Sequence, residues 1–391
     1  EPALTTEGSV GLYPSKIPMV DVVTVGAGGG SIAWLSPEGL LKVGPRSAGA
    51  EPGPLCYGRG GRDVTVTDAH LVLGRIPPHL LGGEIPLDVA AAHSGLSDLA
   101  AKLGLSQTKC AAGILEISAW NQANAVRQIT VKRGLDVRDF TLVTFGGSGS
   151  LLLCPLIEIL GVQGVLVPTN PGNVSAFGLL TVDVRSDHVR TSVARQSGLD
   201  HEAMEEIFEG LTARARAALS AQGFAPEMHR VTRTADLRYF GQAFEVRVPV
   251  KSGPFNSAVA AAAAEDFHRS HHALYGYDFR GNASQPVEWV NLRVTGIGPL
   301  ERPQLTELTP GNGNPARAIT GRRAVVFSRA GAAAQREVTE AIVYGRSLLA
   351  AGDAVPGPAV IEEYGATVPI HPGFEARVDR FGNLLVNGTA R

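Results

Sequence analysis

Cysteine is scarce and scattered. The chain of 391 residues carries three, Cys56, Cys110 and Cys154, far apart. None stands in a C-x-x-C pair, which excludes a disulfide framework and a zinc knuckle. That usage fits a reducing cytoplasm. Charge of one sign is also lacking: 35 Lys and Arg oppose 37 Asp and Glu, for a net charge of -2. Such a chain has no electrostatic footprint for nucleic acid or an anionic membrane. No apolar run reaches the about 18 residues of a membrane span; the best candidate, 258–264, reads as a short alanine-rich helix. There is no signal-peptide pattern and no internal repeat. Charged residues make up only 18% against 44% hydrophobic, which excludes a disordered polyelectrolyte. The 47 glycines and 25 prolines stay below the roughly 25–30% that marks low complexity, yet predict many special turns. The chain opens on Glu1, and Glu1-Pro2-Ala3-Leu4-Thr5-Thr6 reads like the middle of a domain, so a fragment or a processed chain is expected.

Local patterns then set the organisation. Val20–Val25 reads as a strand ending in the loop Gly26-Ala27-Gly28-Gly29-Gly30-Ser31. Ile32–Leu35 and Leu40–Val43 flank a Ser-Pro-Glu-Gly turn and read as a hairpin. Nine glycines and prolines crowd 44–63, too many for a regular element. Val64–Thr67 suggests a short strand, with Asp68 capping a helix over 69–73. Residues 88–133 are predicted mostly helical, started by Ser106 and stopped by Gly134. A strand over 141–145 feeds Gly146-Gly147-Ser148-Gly149-Ser150 and an apolar helix to about 160. Another strand, 165–167, meets the turn Asn170-Pro171-Gly172-Asn173. Helix and strand alternate here, as in an α/β domain. Beyond residue 186 come a helix near 202–222, strands near 230–239 and 243–250, a helix near 258–274, a loop over 300–316 and a tail of short strands.

Each chemical constellation has rival readings. The first glycine loop follows a predicted strand, but a dinucleotide loop needs G-x-G-x-x-G opening a helix; here Ser31 holds the third position and Pro37 follows closely. A loop approaching a ligand and a tight bend both remain. The second loop opens a helix, as a nucleotide or anion site does. It also resembles a G-x-S-x-G elbow with Ser148 as nucleophile, although Ser150 replaces the last glycine, and a structural turn stays open. His268 and His272 share a helix face, a spacing that zinc uses, though surface histidines look the same. Tyr239, Tyr275 and Tyr277 read as packing residues, since no basic residues interleave with them. Asp68 reads as a cap or as a carboxylate that orients water, metal or substrate. Arg46 and Arg59 can each grip an anionic group bidentately or anchor a loop.

Taken in order, Val25–Ala33, Val43–Ala50, Pro52–Gly58, Thr67-Asp68-Ala69, Leu73-Gly74-Arg75, Phe145-Gly146-Gly147 and Pro171–Gly178 resemble the N-methylhydantoinase A/5-oxoprolinase family, which includes acetone and acetophenone carboxylase subunits. Tyr239-Phe240-Gly241-Gln242 and Gly357–Glu362 extend the match. The resemblance implies an α/β chain: part of an actin/hexokinase-like ATPase fold, then an α+β region and a small β-rich C-terminal module. The boundaries expected are 1–185, 186–300 and 301–391. It implies ATP and Mg2+, with nucleotide contacts at Gly146, Gly147, Ser148 and Gly149. Gly28, Gly29, Gly30 and Ser31 then lie near phosphates or substrate, and Asp68 and Arg46 are the catalytic candidates. The family's D-x-G-G-T motif is absent, and its late Ala-Gly-Pro-Leu-His runs Ser148-Gly149-Ser150-Leu151-Leu152 here. The expected activity is ATP-dependent opening of a cyclic amide through a phosphorylated intermediate, in a hetero-oligomer with a B-type hydantoinase subunit. The alternatives are a ketone carboxylase subunit and a non-catalytic scaffold completing a site in a larger complex.

Overall fold

Helix signals in the first half of the chain come from caps as much as from periodicity. In the computed structural model, which describes residues 4–5, 8–10, 13–15, 19–20, 22–327 and 338–389, the Asp88 side chain accepts from Ala91 N and starts the helix Val89–Leu103. The Ser106 side chain accepts from Lys109 N and starts Gln107–Lys132. Each cap satisfies an N–H group that the first turn leaves open. Gly104, at φ 64°, takes the left-handed position that ends the first helix. The second helix turns Cys110, Ala111, Ile114, Leu115, Ala119 and Ala123 into the core, the 3.6-residue period read from the sequence.

The described residues gather into two compact units, 1–175 with 305–391 and 176–304. In the first, a five-stranded sheet runs 354–356, 374–378, 384–388, 165–167, 142–143. Its last two strands are parallel, with Leu166 opposite Val143. The neighbouring pair is antiparallel, with Leu166 also opposite Leu385. The β-rich tail therefore does not close on itself: its strand 384–388 extends the sheet begun at 142. A second sheet orders 319–326, 338–345, 359–363 and 366–370.

The second unit is a four-stranded antiparallel sheet in the order 184–195, 287–298, 230–239, 246–250. Helix His201–Ala221 joins strands 184–195 and 230–239, and helix Ser257–Tyr275 joins strands 246–250 and 287–298. Each parallel pair so connected has one strand between its members, giving two interleaved split β-α-β units. Phe208 and Phe267, from the two helices, share one core with Trp289 and Tyr239 of the sheet. The opposite face is polar: Asp236 accepts from Arg247 Nε at 3.0 Å, Arg293 Nε at 2.7 Å and Asn291 Nδ2 at 3.0 Å.

Several expected elements differ. Residues 22–25 form no strand, and Asp21 and the opening Glu1–Ala3 lie outside the described residues. The strand expected over 141–145 is only Leu142–Val143. The hairpin partner Leu41–Ser47 runs on through Gly44 and Pro45. Val64–Thr67 is no strand, because the helix Val66–Val72 has already begun at Thr65. Strands 184–195 and 287–298 went unread. We expect Phe267→Ala, which empties a site with no solvent exposure, to lower the urea-unfolding stability of the full chain by about 3–5 kcal/mol.

Candidate functional site

The two glycine loops meet. Gly29 O accepts from Thr67 N and from Thr67 Oγ1, both at 2.9 Å. A Cβ at Gly29 would stand 2.8 Å from Thr67 Oγ1 and 3.4 Å from Ser148 Cβ. Only a residue without a side chain lets Thr67, in the first turn of its helix, and the second loop both close on this loop. At Gly30 a Cβ would stand 2.8 Å from Ser47 Oγ. Gly146 holds φ 86° and donates its N–H to Pro171 O at 2.7 Å. A Cβ at Gly147 would stand 3.4 Å from Gly365 O.

Together these segments wall a cleft of about 650 Å3. Gly29, Gly30, Gly147 and Ser148 line it, joined by Tyr57, Arg59, Thr67, His79, Glu362, Glu363 and Tyr364. Ile76, Pro77, Leu80, Leu81 and Ile85 give it an apolar stretch. Tyr364 reaches across to donate to Glu84 Oε1 at 2.8 Å. Leu81 and Asn170 are the non-glycine residues with positive φ among those described, at 49° and 51°. Strain of that kind concentrates at functional sites.

The remaining sequence candidates fall outside the lining. Ser31 is 3% exposed and turns inward, accepting from Gly28 N at 2.9 Å. Gly28 and Gly146 do not line the cleft, and Gly149 faces a smaller apolar recess beside Phe145 and Leu153. Arg46 is exposed on strand 41–47, away from the cleft, whereas Arg59 lines it.

Asp68 is a structural hub. It is fully buried and accepts from Cys56 N at 2.8 Å, Leu55 N at 3.3 Å, Thr65 N at 2.8 Å and Thr65 Oγ1 at 2.8 Å. Thr65 is the N-cap, and Asp68 completes its capping box from the third helical position. With its oxygens so occupied, Asp68 anchors the fold, and it does not line the cleft. Burial pushes the Cys56 thiol up, and the Asp68 charge adds to that.

Glu363 and His79 were not singled out from the sequence. Arg346 Nη1 donates to Glu363 at 2.8 Å, while Arg346 Nη2 donates to Val167 O and Gly382 O, each at 3.0 Å. Burial raises the Glu363 carboxyl, and Arg346 opposes the shift.

The histidine cluster is structural. Tyr239 OH accepts from Phe279 N at 2.9 Å and meets His268 Nδ1 at 2.6 Å. His271 is buried against Tyr277 O and Gln242, and His272 lies 3.3 Å from Asp278. Among the described residues no group of three or more His, Cys, Asp or Glu is arranged to hold a metal ion, and no helix is long and apolar enough to cross a membrane.

This fold has counterparts. The hydantoinase/oxoprolinase family profile matches residues 1–188 and its C-terminal domain profile residues 193–386. The chain belongs to the hydantoinase/oxoprolinase family. It is 36% identical over 372 residues to the caprolactamase subunit alpha of Pseudomonas jessenii, covering 94% of this chain and 52% of that one. It is 29% identical to the acetophenone carboxylase gamma subunit of Aromatoleum aromaticum, covering 98% and 54%. The crystal structure of the ATP-dependent caprolactamase from Pseudomonas jessenii superposes with a TM-score of 0.72 at 33% identity, covering 99% of this chain and 56% of that one. Nucleotide-free acetone carboxylase gives a TM-score of 0.88 at 23% identity, covering 99% and 55%, a likeness of fold. The chain thus spans about half the length of these relatives.

Two outcomes follow from the buried groups. Asp68→Ala strands three backbone N–H donors and is expected to cost about 3 kcal/mol or more in urea unfolding. A folded, equally stable variant that has lost activity would restore Asp68 as a catalytic group. All three cysteines are free and buried, and burial pushes the Cys154 thiol up to about 12. A raised thiol stays protonated until the pH climbs to that value, so a thiol reagent at pH 8 should label none in the native chain and all three in urea.

Proposed function

We propose that the chain is a subunit of an ATP-dependent enzyme that opens a cyclic amide, in the manner of a hydantoinase or oxoprolinase. The observation that carries this reading is the closure of two sequence-distant glycine loops, at Gly29 and at Gly147-Ser148, onto one cleft. It has the size of a small-molecule site, and a Cβ at Gly29 would fill the junction. The loops after strands 142–143 and 165–167 lie at the carboxyl ends of parallel strands, where open α/β sheets bind ligands. The relatives named as ATP-dependent supply the nucleotide's identity.

In this reading residues 1–185 carry the second half of an actin-like nucleotide-binding domain. The wall at Gly147 and Gly365 takes the adenosine. Gly29, Gly30, Thr67 and Arg59 take the phosphates, where a guanidinium stabilises the charge that develops on the transferring group. The apolar stretch from Ile76 to Ile85 takes the ring of a small lactam. In this reaction the amide oxygen would take the γ-phosphoryl group with ADP leaving, water would add to the ring carbon, the ring C–N bond would break as the nitrogen takes up a proton, and the acyl phosphate so formed would lose phosphate to a second water. Mg2+ finds no fit among the cleft residues. Glu362 pairs with Arg323 and Glu363 with Arg346, and the oxygens of Asp68 are already occupied. Ser148 meets no histidine among the described hydrogen bonds, which disfavours the hydrolase elbow. A B-type subunit completes the enzyme, and three reduced thiols suit the cytoplasm.

The test is ADP release by the full chain co-purified with its partner subunit. A hydantoin or lactam alone should support it. Release that requires a ketone with bicarbonate would instead establish the carboxylase reading. Gly147→Val should weaken ATP binding at least about tenfold, a loss of about 1.4 kcal/mol, because its side chain projects toward Gly365 O and the base. Unchanged affinity in a folded variant would remove adenosine from that wall.

A further inference from the structure

Glu363 is one of two cleft carboxylates that the reaction above leaves unused. Its side chain is 10% exposed, and that of its partner Arg346 is 6% exposed. Arg346 is anchored from behind by the carbonyls of Val167 and Gly382, so the carboxylate is held rigidly at the cleft wall. The Asn170 backbone N–H also favours its charged form. An ionised carboxylate has about four acceptor positions, and these two donors leave others for the cleft.

The pair's electrostatics select what can dock there. A guanidinium 2.8 Å from Glu363 disfavours a second cation, and the carboxylate disfavours a phosphate. An uncharged O–H donor suffers neither penalty and makes a hydrogen bond to a charged acceptor, which is stronger than one between neutral groups. Position narrows the choice. Residues 359–363 and 366–370 form a hairpin in which Glu363 pairs with Ala366, leaving Tyr364-Gly365 as the turn. The Gly365 carbonyl faces Gly147. Glu363 therefore belongs to the adenosine end of the cleft, beside the strained Asn170.

Resting on the nucleotide reading of the cleft, we infer that Glu363 accepts the ribose hydroxyls of the nucleoside triphosphate, with Arg346 as its positioning residue. The cleft then distinguishes ribonucleotides from deoxyribonucleotides through one carboxylate held neutral overall by a buried arginine.

Calorimetric titration of the full chain with ATP, 2′-deoxy-ATP and 3′-deoxy-ATP tests this. The wild type should bind ATP about tenfold more tightly than at least one deoxy analogue, the fold-change of one charge-assisted hydrogen bond. In Glu363→Gln the ratio should fall to within about twofold. Glu363→Asp keeps a charge for Arg346 but withdraws the oxygens, and should lose the ratio too, which preserves the test if the Gln variant does not fold. A wild-type ratio near one for both analogues overturns the proposal without any variant. ATP binding with an unchanged ratio in a folded variant overturns it while leaving the nucleotide reading intact. No ATP binding by the wild type overturns both.

Discussion

Asp68 accepts from the backbone N–H groups of Leu55, Cys56 and Thr65 and from the Thr65 hydroxyl, and the cleft's geometry descends from that arrangement. One carboxylate ties the turn at 55–57 to the first turn of the helix Val66–Val72. Thr67, two residues from the cap, is thereby set against Gly29 O. A buried carboxylate with fewer donors would be costly; with four it is a rigid node. The segment 44–63, dense in glycine and proline, cannot fix itself through regular backbone pairing, so a side-chain hub does it. Tyr57 and Arg59, which line the cleft, hang from the same turn.

The opposite wall is assembled differently. Gly147 follows a two-residue strand, and Glu363 and Tyr364 come from a hairpin near the end of the sequence. The hairpin belongs to the second sheet, whereas Gly147 follows the first, in which strand 165–167 lies parallel to 142–143 and antiparallel to 384–388. Arg346 spans the same region, reaching Val167 O and Gly382 O. Removing either partner of its pair with Glu363 would leave an uncompensated buried charge, the expensive half of any buried ion pair. One guanidinium thus ties the hairpin of one sheet to the sheet that carries Gly147.

Much of this was legible in the residues, and the failures have physical reasons. Ser106 announced its helix because a capping side chain is a local signal, whereas the cap at Asp88 went unread. The glycine loops were visible because their backbone needs are local too. Asp68 was placed as an N-cap because Thr65, three residues earlier, sits among β-branched neighbours that mimic a strand. Strand 184–195 was missed because half its face is exposed and charged, with Arg185, Asp187, Arg190 and Arg195 diluting the alternation. Glu363 carries no local mark at all: its meaning comes from Arg346 and from a hairpin register, neither of which spacing reveals.

The cleft's charge pattern bears on how one scaffold serves several chemistries. Both glutamates on its wall are already paired, Glu362 with Arg323 and Glu363 with Arg346. They cannot act as free bases, nor can they repel an incoming triphosphate as strongly as bare carboxylates would. Arg59 remains as the cation facing the space. On the function proposed above, a site so arranged would recognise a phosphorylated co-substrate by backbone, glycine and guanidinium, and would leave the choice of second substrate to the apolar residues between Ile76 and Ile85. Nucleotide and ring would then be recognised by separate residues. Substitution of the apolar stretch can then change which carbonyl compound is activated while the glycine loops, and the Asp68 hub that holds them, stay as they are.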